Sequence, residues 1–202
     1  MRFRLLTAAA LAAVAVVGLT ACDSKVGQAA VVGGHRISEH EVSDYVTRNG
    51  PDPAVASQVQ GTVEPRVQAL TALIQEQLFT ELLQDTGGMP AAARINALIP
   101  EVAKQQYGQS ESQLRTRVSQ LGLSRSFADL LLRVGALEGI LGQRSKLQSV
   151  DDFNRLVDKY NIAITVSPRY GKWVPSKVQL SGNAHAGVPG FVKLLPTTAP
   201  AQ

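Results

Sequence analysis

The chain has 202 residues, 45% apolar, 18% charged and only 5% aromatic, which suits one globular domain with flanking segments and a core of Leu, Ile, Val and Ala. Its formal net charge of +4 includes Arg2 and Arg4, and there is no basic block or basic–aromatic interleaving to suggest nucleic-acid binding. Cys22 is the one cysteine, which excludes an intramolecular disulfide and a four-cysteine zinc site.

Residues 1–4 carry two positive charges, and residues 5–19 form an almost unbroken apolar run, rich in alanine and too short for a membrane span. This is the pattern of an export signal. The run ends in Leu19-Thr20-Ala21-Cys22, which resembles the bacterial lipobox. The resemblance implies cleavage before Cys22 and diacylation of its thiol. The alternatives are an ordinary signal with an incidental cysteine or an uncleaved anchor, but the position of Cys22 at the end of the run favours lipidation. Two or more acyl chains give stable anchoring where one is marginal. The expected organisation is a signal peptide over 1–21, a tether over 22–28, a folded domain over 29–175 and a flexible tail over 176–202. The domain would sit at the extracytoplasmic face of the cell membrane, held there by the lipid on Cys22.

The domain opens with a short apolar stretch, Ala29-Ala30-Val31-Val32, and a Gly33-Gly34 pair suited to a tight reversal, because glycine takes positive φ without a Cβ penalty. A second short strand leads to Ser38 and Glu41, whose spacing is that of a capping box. Ile37 and Val42 are placed as a hydrophobic staple. The first helix is expected from Glu39 to about Arg48, stopped by Asn49-Gly50-Pro51-Asp52-Pro53; residues 54–62 are ambiguous. Pro65 starts a second helix with Val67, Leu70, Ile74, Leu78 and Leu82 at helical spacing, ended by Gly87-Gly88. A third covers about 91–107, where Pro100 is expected to kink or split it near Ile99. Ser110 and Gln113 cap a fourth that Gly122 closes. The fifth opens at Ser124 or Ser126. Phe127, Leu130, Leu131, Val134, Leu137 and Leu141 give it the strongest periodicity, as expected of the central core helix. Ser149 caps a sixth, with Phe153, Leu156, Val157 and Tyr160 inward, and Asn161 ends it.

The period then switches from 3.6 to 2, since Ile162, Ile164 and Val166 alternate with Ala163 and Thr165. Pro168 interrupts the strand at an edge or bend. A strand as short as Ala29–Val32 cannot stand alone. The expected fold is therefore mainly α, with about six helices and a small β clasp pairing the N-terminal strand or hairpin with the C-terminal strand in 162–173. The Ser-, Gly-, Ala- and Pro-rich residues from 176 onward read as tail.

Ala30-Val31-Val32-Gly33-Gly34-His35-Arg36-Ile37-Ser38 is similar to the opening of the SurA N-terminal family, the helical chaperone domains of the SurA, PrsA and trigger-factor group, with Gly33 where asparagine is usual. Ile164-Thr165-Val166-Ser167-Pro168-Arg169-Tyr170-Gly171 resembles the closing strand of actinobacterial members, with Ser167 in place of another asparagine. The resemblance implies that the first strand pairs with the last and that the helices build a cradle. It also implies an extracytoplasmic chaperone role. Many relatives carry a parvulin isomerase domain between the helical body and the closing helix. Here that junction, residues 142–149, is a few residues long, far below the size of a domain.

The site candidates are few. His35, Glu39 and His40 lie close in sequence, but the histidine spacing does not share one helical face, so solvation is the expected state and no metal site is expected. His185 lies in the tail without a partner. Nothing resembles a nucleophile elbow or a phosphate-cradling loop. Tyr170 and Trp173 either anchor a bound peptide or seal the underside of the helices, and the scarcity of aromatics favours sealing. Arg169 either pairs with an acid of the first helix or is solvated. The expectation is a non-enzymatic, cofactor-free chaperone that binds unfolded exported polypeptides in a shallow apolar groove. The alternative is an adaptor lipoprotein docking one folded envelope partner, and prolyl isomerisation ranks last. A client groove predicts an exposed apolar patch larger than a monomer normally shows.

Overall fold

Gly33 and Gly34, both at positive φ (57° and 92°), reverse β1 (Gln28–Val32) into β2 (His35–Ser38) in the computed structural model of the protein, which describes residues 27–48, 50 and 64–181. Two consecutive positive φ values match the twist of a hairpin, and only glycine adopts them freely. A Cβ on Gly33 would also come within 3.2 Å of Glu81 Cγ. The signal segment with Cys22, the stop at Pro51 to Pro53, the ambiguous stretch at 54–62 and the tail beyond 181 all lie outside the described residues.

Ser38 caps α1 (Glu39–Asp44): its hydroxyl accepts from the Glu41 amide at 3.2 Å and Glu41 Oε2 accepts from the Ser38 amide at 2.7 Å. The helix is shorter than its sequence suggests. Tyr45, Val46 and Thr47 leave it to pair with a distant loop, where Tyr45 O accepts from Ser124 N at 2.8 Å and Thr47 N donates to Gly122 O at 2.9 Å. This pairing covers Leu123, which is fully buried, so tertiary contact overrides local propensity here.

The helical body comprises α2 (Pro65–Asp85), α3 (Ala92–Tyr107), α4 (Glu111–Gln120), α5 (Arg125–Ser145) and α6 (Val150–Lys159). The helix α5 packs against α2, α3 and α4 and is the centre of the core. Phe127, Leu130, Val134, Leu137 and Leu141 are buried on it, at the spacing read from the sequence. Phe79 of α2 meets Phe153 of α6 edge-on, with centroids 5.7 Å apart, while Leu156, Val157 and Tyr160 are only half-buried. Pro100 does not split α3. It lies on the exposed side, and so does Asn96, whose carbonyl loses its helical donor to the proline ring and faces water instead. At the distal end, Arg144 Nη1 donates to Leu83 O (3.1 Å) and Gly88 O (2.7 Å), which fastens the end of α5 to the end of α2.

The main sheet has the order β2-β1-β3, all antiparallel, with β3 at Ile164–Val166. Ala30, Val31 and Val32 stand opposite Val166, Thr165 and Ile164. The first strand thus lies between its own hairpin partner and a strand from the other end of the described chain. A second hairpin follows, β4 (Trp173–Val174) with β5 (Gln179–Leu180), so the last described strand pairs with β4 and not with β1. The stretch read as one strand over 162–173 is divided because Pro168 opens a 3-10 turn, Pro168–Tyr170.

The expectation of a tail from residue 176 is corrected. Val178 and Leu180 are fully buried, Gln179 is 5% exposed, and Gln75 Nε2 donates to Val178 O at 2.8 Å. Val178 sits at φ 52°, ψ 42°, the left-handed region that a β-branched residue avoids. That conformation costs on the order of 1–3 kcal/mol, and burying a valine returns a similar amount.

Candidate functional site

Glu39 is the first helical residue after the Ser38 cap, and its amide donates to Gly27 O at 2.7 Å. Its carboxylate gathers three groups. Oε2 accepts from Arg66 Nη2 at 2.8 Å and from the Tyr170 hydroxyl at 2.7 Å, and Oε1 lies 2.7 Å from Arg169 Nη2. Arg66 comes from the first turn of α2, and Arg169 and Tyr170 from the 3-10 turn after β3. One acid at the start of α1 therefore fastens the start of α2 to the closing segment. Its side chain is 18% exposed, against 36% for Arg66 and 55% for Arg169.

Arg169 pairs with an acid of the first helix, which was one of the two outcomes open in the sequence. Tyr170 is 5% exposed with its hydroxyl engaged, which corrects its candidacy as a client anchor. Trp173 is half-buried on β4, opposite Leu180, and packs on the core. Arg66 was not singled out in the sequence; a lone arginine in a first helical turn carries no local signal of its partner. His35 and His40 are exposed, and His40 Nδ1 is 3.2 Å from Asp44 Oδ2 on the solvent side of α1. Among the described residues no group of three or more His, Cys, Asp or Glu could hold a metal ion.

Replacing Glu39 with Ala leaves two guanidinium groups and a phenol without their shared acceptor. A loss of about 2 kcal/mol in folding free energy is expected, below the value for a fully buried pair because both arginines are wet. Glu39→Gln keeps one carbonyl acceptor, so about half that loss is expected. Urea denaturation of the two variants beside the parent checks both values.

The titration of the tyrosines gives a second expectation. The Tyr170 phenol is pushed up by burial and then by its hydrogen bond to Glu39. Tyr45 is pushed up by burial and then by Glu76. Tyr107 is pushed up most, by burial and then by Glu138. A phenol so shifted keeps its proton in the folded chain after the unfolded chain has lost it. Its stabilisation is complete below the ordinary phenol value of about 10 and is lost as pH rises through the folded value. Urea midpoints are expected to hold steady to about pH 10 and fall above it, with a shallower fall in Tyr107→Phe.

Among the described residues the large hydrophobic side chain counted as exposed is Met89, at 37%. The open depression between α3 and α4 is lined by Pro100, Lys104, Gln109, Glu111, Gln113 and Arg115. Among the described residues no helix is long and apolar enough to cross a membrane. No protein-family model matches the chain, and no curated protein matches it either.

Proposed function

We propose that the protein is a lipid-anchored, extracytoplasmic domain of the SurA N-terminal kind that holds extended segments of exported polypeptides without isomerase chemistry. The observation that supports this reading is the antiparallel pairing of residues 30–32 with 164–166. It joins the two segments whose sequences resemble the opening and closing strands of that family, and the helices lie between them in the chain. The α5–α6 junction at residues 146–149 leaves no room for an isomerase domain. Binding would need no cofactor, because capture of an extended chain uses apolar contact and backbone hydrogen bonds alone.

The scarcity of exposed large hydrophobic side chains among the described residues favours a second reading, an adaptor lipoprotein that docks one folded partner of the envelope. A client groove would leave a contiguous apolar patch in the free protein, whereas among the described residues the exposed large hydrophobic side chain is Met89. Aggregation suppression with an unfolded client separates the two. Suppression near equimolar ratio supports the chaperone, and no effect at several-fold excess supports the adaptor. Fatty-acid labelling of the parent, lost in Cys22→Ser, tests the anchor common to both.

A further inference from the structure

We propose that the folded body meets the bilayer with one particular end, the end of the sheet where Gln28 enters, and holds the α2–α3 turn at Met89 away from it. The proposal rests on the reading of Cys22 as the acylated residue. Six chain steps separate Cys22 from Gln28, which span at most about 20 Å even when fully extended. Whatever surrounds Gln28 is therefore confined near the headgroup layer.

The hydrogen bonds say what surrounds it. Ser38 stands opposite Gln28, Gly27 O accepts from Glu39 N at 2.7 Å, and Ala29 O accepts from Ser167 N at 2.8 Å. Ser167 leads directly into Arg169 and Tyr170, and Glu39 brings in Arg66 at 2.8 Å. Lys172, which is exposed, exchanges bonds with Ser181: its amide donates to Ser181 Oγ at 3.0 Å and its carbonyl accepts from Ser181 N at 2.7 Å. Lys172 follows Tyr170 by two residues, so the last described residue is tied to the segment that closes on Glu39.

The opposite end is equally defined. From Gln28, β1 runs to a turn at Gly33 that lies against Glu81, near the C-terminus of α2. The helix α2 runs the same way, from Arg66 beside the entry to Asp85, and its 21 residues rise about 30 Å. Met89 follows at the far end. At the entry Arg66 and Arg169 share the single carboxylate of Glu39.

The test uses the full acylated chain in phosphatidylglycerol-containing vesicles with a quencher attached to the lipid headgroup. One dye is placed through Lys172→Cys or Met89→Cys, since acylation occupies the thiol of Cys22. Quenching severalfold stronger at position 172 than at 89 is the expected result. Equal quenching, or stronger quenching at 89, overturns the orientation while leaving the anchor intact, provided mass spectrometry of the same sample finds the acyl chains on Cys22. Their absence from Cys22 overturns the anchor and this proposal together.

Discussion

Ending the chain after Pro175 is expected to lower the folding free energy by about 2 kcal/mol relative to a chain ending at Ser181. The lost segment carries Val178 and Leu180, both fully buried, and the Val178 carbonyl that accepts from Gln75 of α2. Each side chain is worth about 1.5–3 kcal/mol on burial, and about half of the sum survives the strain at Val178 and the ordering of the segment. In a body of this size the change corresponds to a fall in melting temperature on the order of 10 °C. The chain ending at Ser181 is the right reference, because it retains the contacts of the second hairpin, including the bonds between Ser181 and Lys172. Equal melting curves for the two chains would show that the hairpin covers the core without stabilising it. Leu180→Ala in the full chain, expected to cost about 2–4 kcal/mol, separates loss of this contact from effects of a new terminus.

Two glycines of α5 should respond to alanine in opposite directions. A Cβ on Gly135 would lie 2.6 Å from Val102 Cγ1 and 2.6 Å from Gln106 Oε1, both on α3. The Gln106 amide is at the end of a flexible chain and can swing away. Val102 cannot, because a β-branched side chain in a helix has one strongly preferred rotamer, so the two helices must separate. Overpacking of this kind costs about 1–3 kcal/mol, which outweighs the gain of about 1 kcal/mol from replacing a helical glycine. Gly135→Ala is therefore expected to destabilise by about 1–2 kcal/mol, and Gly135→Leu by more. Nothing lies within 4 Å of a Cβ on Gly139. Gly139→Ala should keep the propensity gain and stabilise by about 0.5–1 kcal/mol. Thermal and urea unfolding of both variants tests the pair. Stabilisation by both would mean that α3 does not approach α5 as closely as Gly135 allows.

Much of the helical order was legible because its signals are local. Capping at Ser38 and Ser110 and the apolar stripe of α5 depend on residues within a few positions of one another. Asn161, read as a helix terminator, takes the left-handed conformation at φ 52°. The switch to alternation at Ile162 likewise identified a strand, which begins two residues later at Ile164. The boundaries were less legible where a distant partner intervened. Tyr45 and Val46 carry no sign in their own neighbourhood that the loop around Leu123 draws them out of α1. Pro100 signalled a break, but its position on the wet side of α3 made the lost hydrogen bond tolerable.

By itself the sequence determined where the first turn and most helix starts fall, which faces of the helices are apolar, and that a short first strand requires a partner. These follow from backbone sterics and from the periodicity of side chains along one element. Only the tertiary structure decided that Glu39 holds Arg66, Arg169 and Tyr170 together, that Gly135 is a contact between helices and not merely a weak helix former, and that Val178 is core despite its conformation. Each of these depends on groups far apart in the chain. Their interaction energy exists only once the intervening helices have set the distance.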